Sequence, residues 1–325
     1  MSLILSGDIG GTKTLLQIGE RGSSVAIITK KFSSAESASL EEMIETLLKE
    51  AGIREVKSAA FALAGPVAGR KVQLTNLSWE VDGDAIESRF GIERVELLND
   101  FAAAGYGLEA LQPHDLHSLQ AGEAQHDGVR LLVGAGTGLG VAWLTQHAGR
   151  YQVHASEGGH IDFSPSDEMQ CMLLRYLLQQ HEHVSYERIV SGMGLLAIFD
   201  FMRQNGVAEP SSRMLAAMAE NDPAAVISQF AYHEHEPIAR LVMELFFDCY
   251  GAFTGNLALA SLPRGGVYIA GGIAAKLHEQ LAQSRFMAAF HAKGRFASLM
   301  QSLPVHVVLN EHLGLMGASL IASRL

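Results

Sequence analysis

Residues 3–19 read LILSGDIGGTKTLLQIG, and residues 131–145 read LLVGAGTGLGVAWLT. Each is a short apolar strand, a glycine turn and a returning strand, and the two lie one in each half of the chain. Glycine turns the backbone at positive φ and brings it close to a ligand, so its N–H groups can face anionic oxygens. Thr12, Thr14 and Thr137 add hydroxyl donors. Neither loop is a P-loop or a dinucleotide fingerprint. Thr12 precedes Lys13 where a P-loop needs glycine. In residues 134–140 the third fingerprint glycine falls at Leu139, and a strand rather than a helix follows. What remains is a pair of β-hairpin phosphate loops: Gly10, Gly11, Thr12, Lys13 and Thr14 in the first, Gly136, Thr137 and Gly138 in the second. Asp8, at the end of the first strand, stands where a carboxylate could hold Mg²⁺ through water.

Outward from the first loop the order is strand, strand, strand, helix, strand, helix, strand, helix over the first hundred or so residues, an α/β layout. Ser39 and Glu42 have capping-box spacing ahead of Met43, Ile44, Leu47 and Leu48. Residues 112–128 are polar and turn-rich, a candidate domain crossing. The second half reads as mostly helical, with a long apolar segment from Pro237 to Leu262 and a strand at 267–270 leading into Gly271 and Gly272, where adenosine could lie on flat backbone. A last helix is expected over 313–323.

The chain has 325 residues, 48% of them hydrophobic and 18% charged, which suits two packed domains and excludes disorder. No apolar run is long enough for a membrane span, and the first residues lack the basic region of a signal peptide. A net charge of −11 without a basic stripe argues against nucleic acid. Cys171 and Cys249 carry no ligand spacing and read as free thiols in a reducing compartment.

The chemistry centres on Asn99 and Asp100, an amide and a carboxylate closing a strand and opening a helix. Such a position faces the crevice where open α/β sheets bind ligands; it is equally a helix N-cap. Glu157 and His160 are joined by two glycines, without the spacing of a zinc site. Glu187 reads as a first-turn residue near a helix dipole. The histidines at 181, 183, 233 and 235 read as solvated helix faces.

In order along the chain stand GDIGGTKT (7–14), LAGPV (63–67), TNLSW (75–79), LLNDFAA (97–103), GAGTGLGVA (134–142), EGGHIDF (157–163), VSYERIVSG (184–192), GNLAL (255–259), VYIAGGI (267–273), KGRF (293–296) and LGLMGAS (313–319). Together they resemble the bacterial hexokinase-like glucokinases essentially end to end. The resemblance implies an α/β, two-domain actin-like ATPase (ribonuclease H-like) fold with the active site in the interdomain cleft. A small domain would comprise 1–111 plus 310–325, and a large one 112–309. It further implies a cytoplasmic, homodimeric enzyme that phosphorylates glucose at its 6-hydroxyl with ATP and Mg²⁺, the first step of glycolysis. Asp100 would be the general base. Asn99, Glu157, His160 and Glu187 would bind the other hydroxyls, helped by Asn76 and the turn at Gly65 and Pro66. The loops at 8–14 and 134–140 would hold phosphates, Mg²⁺ would sit between Asp8 and those phosphates, and 267–273 would face adenosine.

The related ROK sugar kinases carry a cysteine-rich zinc motif after a similar EGGH element; here IDFSPSDEMQCM follows, with a lone Cys171. Met193 stands where the family pattern leads one to expect proline. The rival readings are a kinase for another hexose, a non-catalytic sugar sensor and an interaction ATPase. The first loop begins at residue 7, which leaves no room before it for a DNA-binding helix-turn-helix.

Overall fold

The computed structural model describes every residue except Met1, Ser24, Pro66, Ala68, Thr75, Asn76 and Ser78. It divides into two compact units: residues Met1–Pro113, His147–Ala155 and His312–Leu325 form the first, His114–Gln146 and Ser156–Glu311 the second.

In the first unit the strands β1 (Leu3–Ile9), β2 (Lys13–Glu20), β3 (Ala26–Ser33), β4 (Ser58–Leu63) and β7 (Arg94–Asn99) form one sheet in the order β3-β2-β1-β4-β7. Two short strands, β5 (Lys71–Gln73) and β6 (Glu80–Asp82), pair separately as an antiparallel ribbon. β1 and β2 are the antiparallel hairpin read from the first glycine stretch, closing at Ile9 opposite Thr14, and β1 then pairs in parallel with β4. Every residue of β4 is buried, as a parallel strand covered on both faces must be. Phe61 and Leu63 share a core with Met43, Ile44 and Leu47 of helix Leu40–Ala51, while Ala60 packs with Ala318 and Ala322 of the last helix, Leu313–Arg324. The Ser39 half of the capping box at the start of Leu40–Ala51 is present, with Glu42 N–H donating to Ser39 Oγ at 3.3 Å, whereas the Glu42 carboxylate reaches one residue further back and accepts from Ala38 N–H at 2.8 Å.

Helix Asp100–Gly107 packs against Leu313–Arg324 at very short range. A Cβ on Gly317 would stand 1.7 Å from the Ala103 carbonyl oxygen, and one on Gly107 would stand 2.2 Å from that of Leu313. Only glycine lets these two backbones touch, and this contact fixes the helix that begins with Asp100.

The second unit repeats the plan. β9 (Arg130–Ala135) and β10 (Leu139–His147) form the second glycine hairpin, with Leu139 opposite Ala135, and β9 then pairs in parallel with β12 (Gly266–Ala270). The sheet continues through β13 (Val305–Val308) to the edge strand β8 (Leu116–Gln120). β8 falls within the stretch read from sequence as a polar crossing. It escapes pattern reading because His117, Ser118 and Gln120 leave it no apolar alternation. The helix Pro237–Ser261 runs 25 residues and is buried almost all round, with Phe246, Phe247, Tyr250 and Phe253 at its centre. That is the property of a helix inside a core rather than upon it.

Among the described residues no helix is long and apolar enough to cross a membrane.

Candidate active site

Asp8 is the next-to-last residue of β1 and the glycine turn follows Ile9, with Gly10 N–H donating to Lys13 O at 3.0 Å. The alternation of β2 decides which residues of this loop can meet a ligand. Lys13 is exposed, whereas Thr14 points inward and is fully buried. Thr14 Oγ1 lies 3.0 Å from Ser34 Oγ, which donates to Gly10 O at 2.8 Å. Thr14, counted from sequence as a phosphate donor, thus braces the turn from behind, because the period of two along the strand places it on the core face.

The Asn99 and Asp100 pair divides its two readings. Asn99 is the helix cap: its Oδ1 accepts from Phe101 N–H and Ala102 N–H, both at 3.0 Å. With the oxygen so committed, Nδ2 donates to the Gly65 carbonyl at 3.0 Å, which ties the end of β7 to the turn after β4. Gly65 adopts φ 130°, a conformation that favours glycine. Asp100 is the first helical residue and exposed; one carboxylate oxygen accepts its neighbour's Phe101 N–H at 2.8 Å. The cap reading of Asp100 therefore passes to Asn99. Pro66 and Asn76, named from sequence for the same sugar, lie outside the described residues.

Burial and the nearby charge of Asp100 push the Asp8 carboxyl up to about 6, against the smaller opposing pull of Lys13 and His312. Two carboxylates sharing one neighbourhood disfavour each other's ionisation. A divalent cation would relieve that repulsion, and hard oxygen donors suit Mg²⁺. Among the described residues no group of three or more His, Cys, Asp or Glu could hold a metal. A magnesium ion here would have the Asp8 carboxylate as its protein ligand, beside phosphate and water.

In the second unit the glycine turn at 136–138 closes with Gly136 N–H donating to Gly138 O at 2.9 Å. Glu157, His160 and Glu187 come together from two short turns, Gly158–His160 and Tyr186–Arg188. His160 Nε2 lies 3.9 Å from Glu157 Oε2, and its Nδ1 lies 3.8 Å from Glu187 Oε1. Glu157 and His160 are exposed, while the Glu187 side chain is only 24% accessible. Two carboxylates and an imidazole so placed can accept from and donate to hydroxyl groups. A cavity of about 390 Å³ has His160 and Glu187 in its wall, with His181, His183 and Arg188 beyond them.

His181 and His183 are not on a helix face. Helix Glu168–Leu177 has already ended, and His183 Nε2 lies 2.8 Å from Asp162 Oδ1. His233 and His235 likewise fall in the link between helices Pro223–Tyr232 and Pro237–Ser261, where His235 takes φ 55°.

A second cavity, of about 450 Å³, opens beside Gly136, Thr137 and Gly272. Gly271 leads into it at φ 88°, pressed so close to β9 that a Cβ would meet Ala135 O at 2.3 Å. Its other walls were not foreseen from sequence: Met193 from the start of helix Gly192–Gln204, Asp222, Ala225 and Ser228 from around helix Pro223–Tyr232, and Leu277. Only the Asp222–Pro223 pair, a cap followed by proline, carries a local signal, and that signal speaks of a helix start.

Two glycine hairpins heading two α/β units define the class, an actin-like ATPase fold of the sugar-kinase kind. The model of the family described as Glucokinase matches residues 5–325. The glucokinase of Nostoc punctiforme is 41% identical over 341 residues, covering 100% of both chains, and that of Synechocystis sp. is 40% identical, covering 98% of both. Among solved structures, a glucokinase from an Antarctic psychrotroph superposes with a TM-score of 0.88 at 30% identity, covering 100% of both chains. A ROK family glucokinase from Streptomyces griseus, in complex with glucose and AMPPNP, shares the fold at a TM-score of 0.68 and 22% identity, over 99% of this chain and 100% of its own. The chain belongs to the glucokinase family.

Proposed function

We propose that the chain transfers the γ-phosphoryl group of ATP to the 6-hydroxyl of glucose, with Asp100 as the general base. The observation that carries the assignment is the division of labour at the end of β7. Asn99 caps the helix and grips Gly65, so the Asp100 carboxylate is held exposed at the strand end by structure that does not depend on it.

Phosphoryl transfer proceeds through a loose, highly charged transition state, so the protein's work is positioning and electrostatic stabilisation. Asp100 orients the attacking hydroxyl and accepts its proton. Such a base supplies about 10²–10⁴ in rate, roughly 3–5 kcal/mol of barrier. Asn99, Glu157, His160 and Glu187 bind the remaining hydroxyls. Ionised carboxylates accept from donor hydroxyls, and a sugar with an inverted or missing hydroxyl leaves an acceptor unpaired, costing about 1–3 kcal/mol. Backbone N–H groups at 11–12 and 137–138 hold the phosphates, with Lys13 beside the first. The base and ribose occupy the cavity walled by Gly272, Met193, Asp222 and Leu277. Asp8 is the residue that would hold Mg²⁺, which supplies neutralisation of phosphate charge when bound.

The test is ADP release from Mg-ATP with glucose, mannose, fructose, galactose or N-acetylglucosamine. Glucose should give the highest kcat/KM. Turnover that no sugar raises above the sugar-free rate overturns the kinase reading, and preference for another hexose overturns the substrate.

A further inference from the structure

Leu139, the first residue after the second glycine turn, is gripped from two sides by the segments assigned to the sugar. Its N–H donates to Glu187 Oε2 at 2.9 Å. Its carbonyl oxygen packs so tightly on Gly159 that a Cβ there would stand 2.0 Å away. Gly138 is bare on its Glu187 side for the same reason, since a Cβ would come within 2.6 Å of Oε2.

The two sugar segments are also bound to each other. Phe163 N–H donates to Val184 O at 2.9 Å and Tyr186 N–H to Ile161 O at 3.0 Å, around a bridge between Asp162 and Ser185. On the nucleotide side, Gly192 N–H donates to Gly136 O at 2.9 Å, and Ser191 Oγ donates to Glu187 O at 2.7 Å while accepting from Gly194 N–H at 3.1 Å. Glu187 thus touches the glycine turn through its carboxylate and the start of the nucleotide-cavity helix through its carbonyl.

We propose that Glu187 is a positioning residue for the phosphate turn at 136–138, through which glucose and ATP tighten each other's binding. The inference rests on the assignment of Glu187 to the sugar and of the turn to phosphate. One oxygen, Oε1, faces His160 and is open to a sugar hydroxyl; the other holds Leu139 N–H. A hydroxyl donating to Oε1 fixes the carboxylate in the orientation in which Oε2 grips Leu139. The turn then presents its N–H groups already ordered, and ordering done by the first ligand is not repeated for the second. Linkage makes the effect reciprocal: each ligand tightens the other by the same factor.

The experiment titrates the intact protein with a non-hydrolysable ATP analogue, with and without saturating glucose, and with glucose in both states of the nucleotide site. Wild type should show tightening of at least about fivefold in each direction. Gly138→Ala drives the new methyl into the Glu187 carboxylate. It should weaken glucose at least about fivefold although it lies in the phosphate turn, and bring the coupling factor to about one. Glu187→Gln should lose the coupling as well; in Glu187→Ala, which removes the group that the new methyl meets, adding Gly138→Ala should weaken glucose no further, as expected when both act through one contact. A purely structural defect would lower stability and weaken both ligands without this non-additivity. Independent binding in an active wild type overturns the inference alone, as does Glu187→Gln with coupling intact or a Gly138→Ala effect confined to the nucleotide. A wild type without glucose-dependent phosphorylation overturns the functional reading as well.

Discussion

Asn99 and Gly65 are joined side chain to backbone, Nδ2 to carbonyl oxygen at 3.0 Å, and that bond sets the end of β7 against the turn after β4. The same carboxamide caps the helix that begins at Asp100. Asn99→Ala should cost about 1 kcal/mol for the cap and in addition raise the glucose KM. Asn99→Asp separates the two roles. It keeps an acceptor for the cap but loses the donor to Gly65, so stability should recover more than glucose affinity does. Denaturant unfolding and initial-rate kinetics on both variants decide the point; equal recovery of both would sink the separation.

Asp8 makes pH a probe of the site. Its carboxyl lies at about 6 in the folded chain against an ordinary value of 3.8, so the folded state holds this proton more tightly than the unfolded one. Where that is so, stability declines as pH rises, here from about 4 through about 6, and is unaffected beyond. Asp8→Asn should flatten that decline and raise the melting temperature at pH 8, while lowering turnover sharply through loss of the candidate magnesium ligand. In the wild type kcat/KM should fall as pH drops through about 6. A variant less stable than wild type at pH 8 would contradict the assignment.

Met193 is 54% exposed, sits in the first turn of helix Gly192–Gln204 and walls the 450 Å³ cavity. Proline is tolerated at first-turn positions, so Met193→Pro should fold. Because a thioether packs favourably on an aromatic ring, removing it should raise the KM for ATP by about threefold to tenfold, within the roughly 0.3–1.5 kcal/mol of such contacts. The glucose KM should stay unchanged. A change in the glucose KM alone would place Met193 elsewhere in the reaction.

Gly317→Ala weighs two opposed effects. Alanine gains about 1 kcal/mol of helix propensity over glycine. Against this, its methyl would lie 1.7 Å from Ala103 O, and overpacking of this kind costs about 1–3 kcal/mol or more. The clash should win. The variant should unfold at lower urea and also lose turnover, because the displaced helix carries Asp100. Unchanged stability would mean that the two helices separate at no cost.

The hairpins at residues 7–14 and 134–140 were legible because glycine turns flanked by apolar alternation are a local signal. So was the helix cap at Ser39. Asp100 as a helix-opening carboxylate was legible too, but its cap role was not separable from that of Asn99, since adjacent Asn and Asp both suit the position. That Thr14 faces the core was not legible, because the loop's boundary with β2 decides which way it faces. β5 and β6 are three residues each, too short to show a period. The wall of the 450 Å³ cavity draws Met193, Asp222 and Leu277 from separate elements, and no one-dimensional pattern records that meeting. The contact of Glu187 with Leu139 belongs to the same kind, its partners standing 48 positions apart.

The central claim is that Asp100 is the base of a glucose-dependent phosphoryl transfer. Glucose 6-phosphate formation by Asp100→Asn, measured beside the variant's glucose dissociation constant and circular dichroism, tests it most directly. The expected result is a folded protein that still binds glucose and whose kcat falls by at least about 10²-fold. A folded Asp100→Asn protein within about tenfold of wild-type kcat would contradict it.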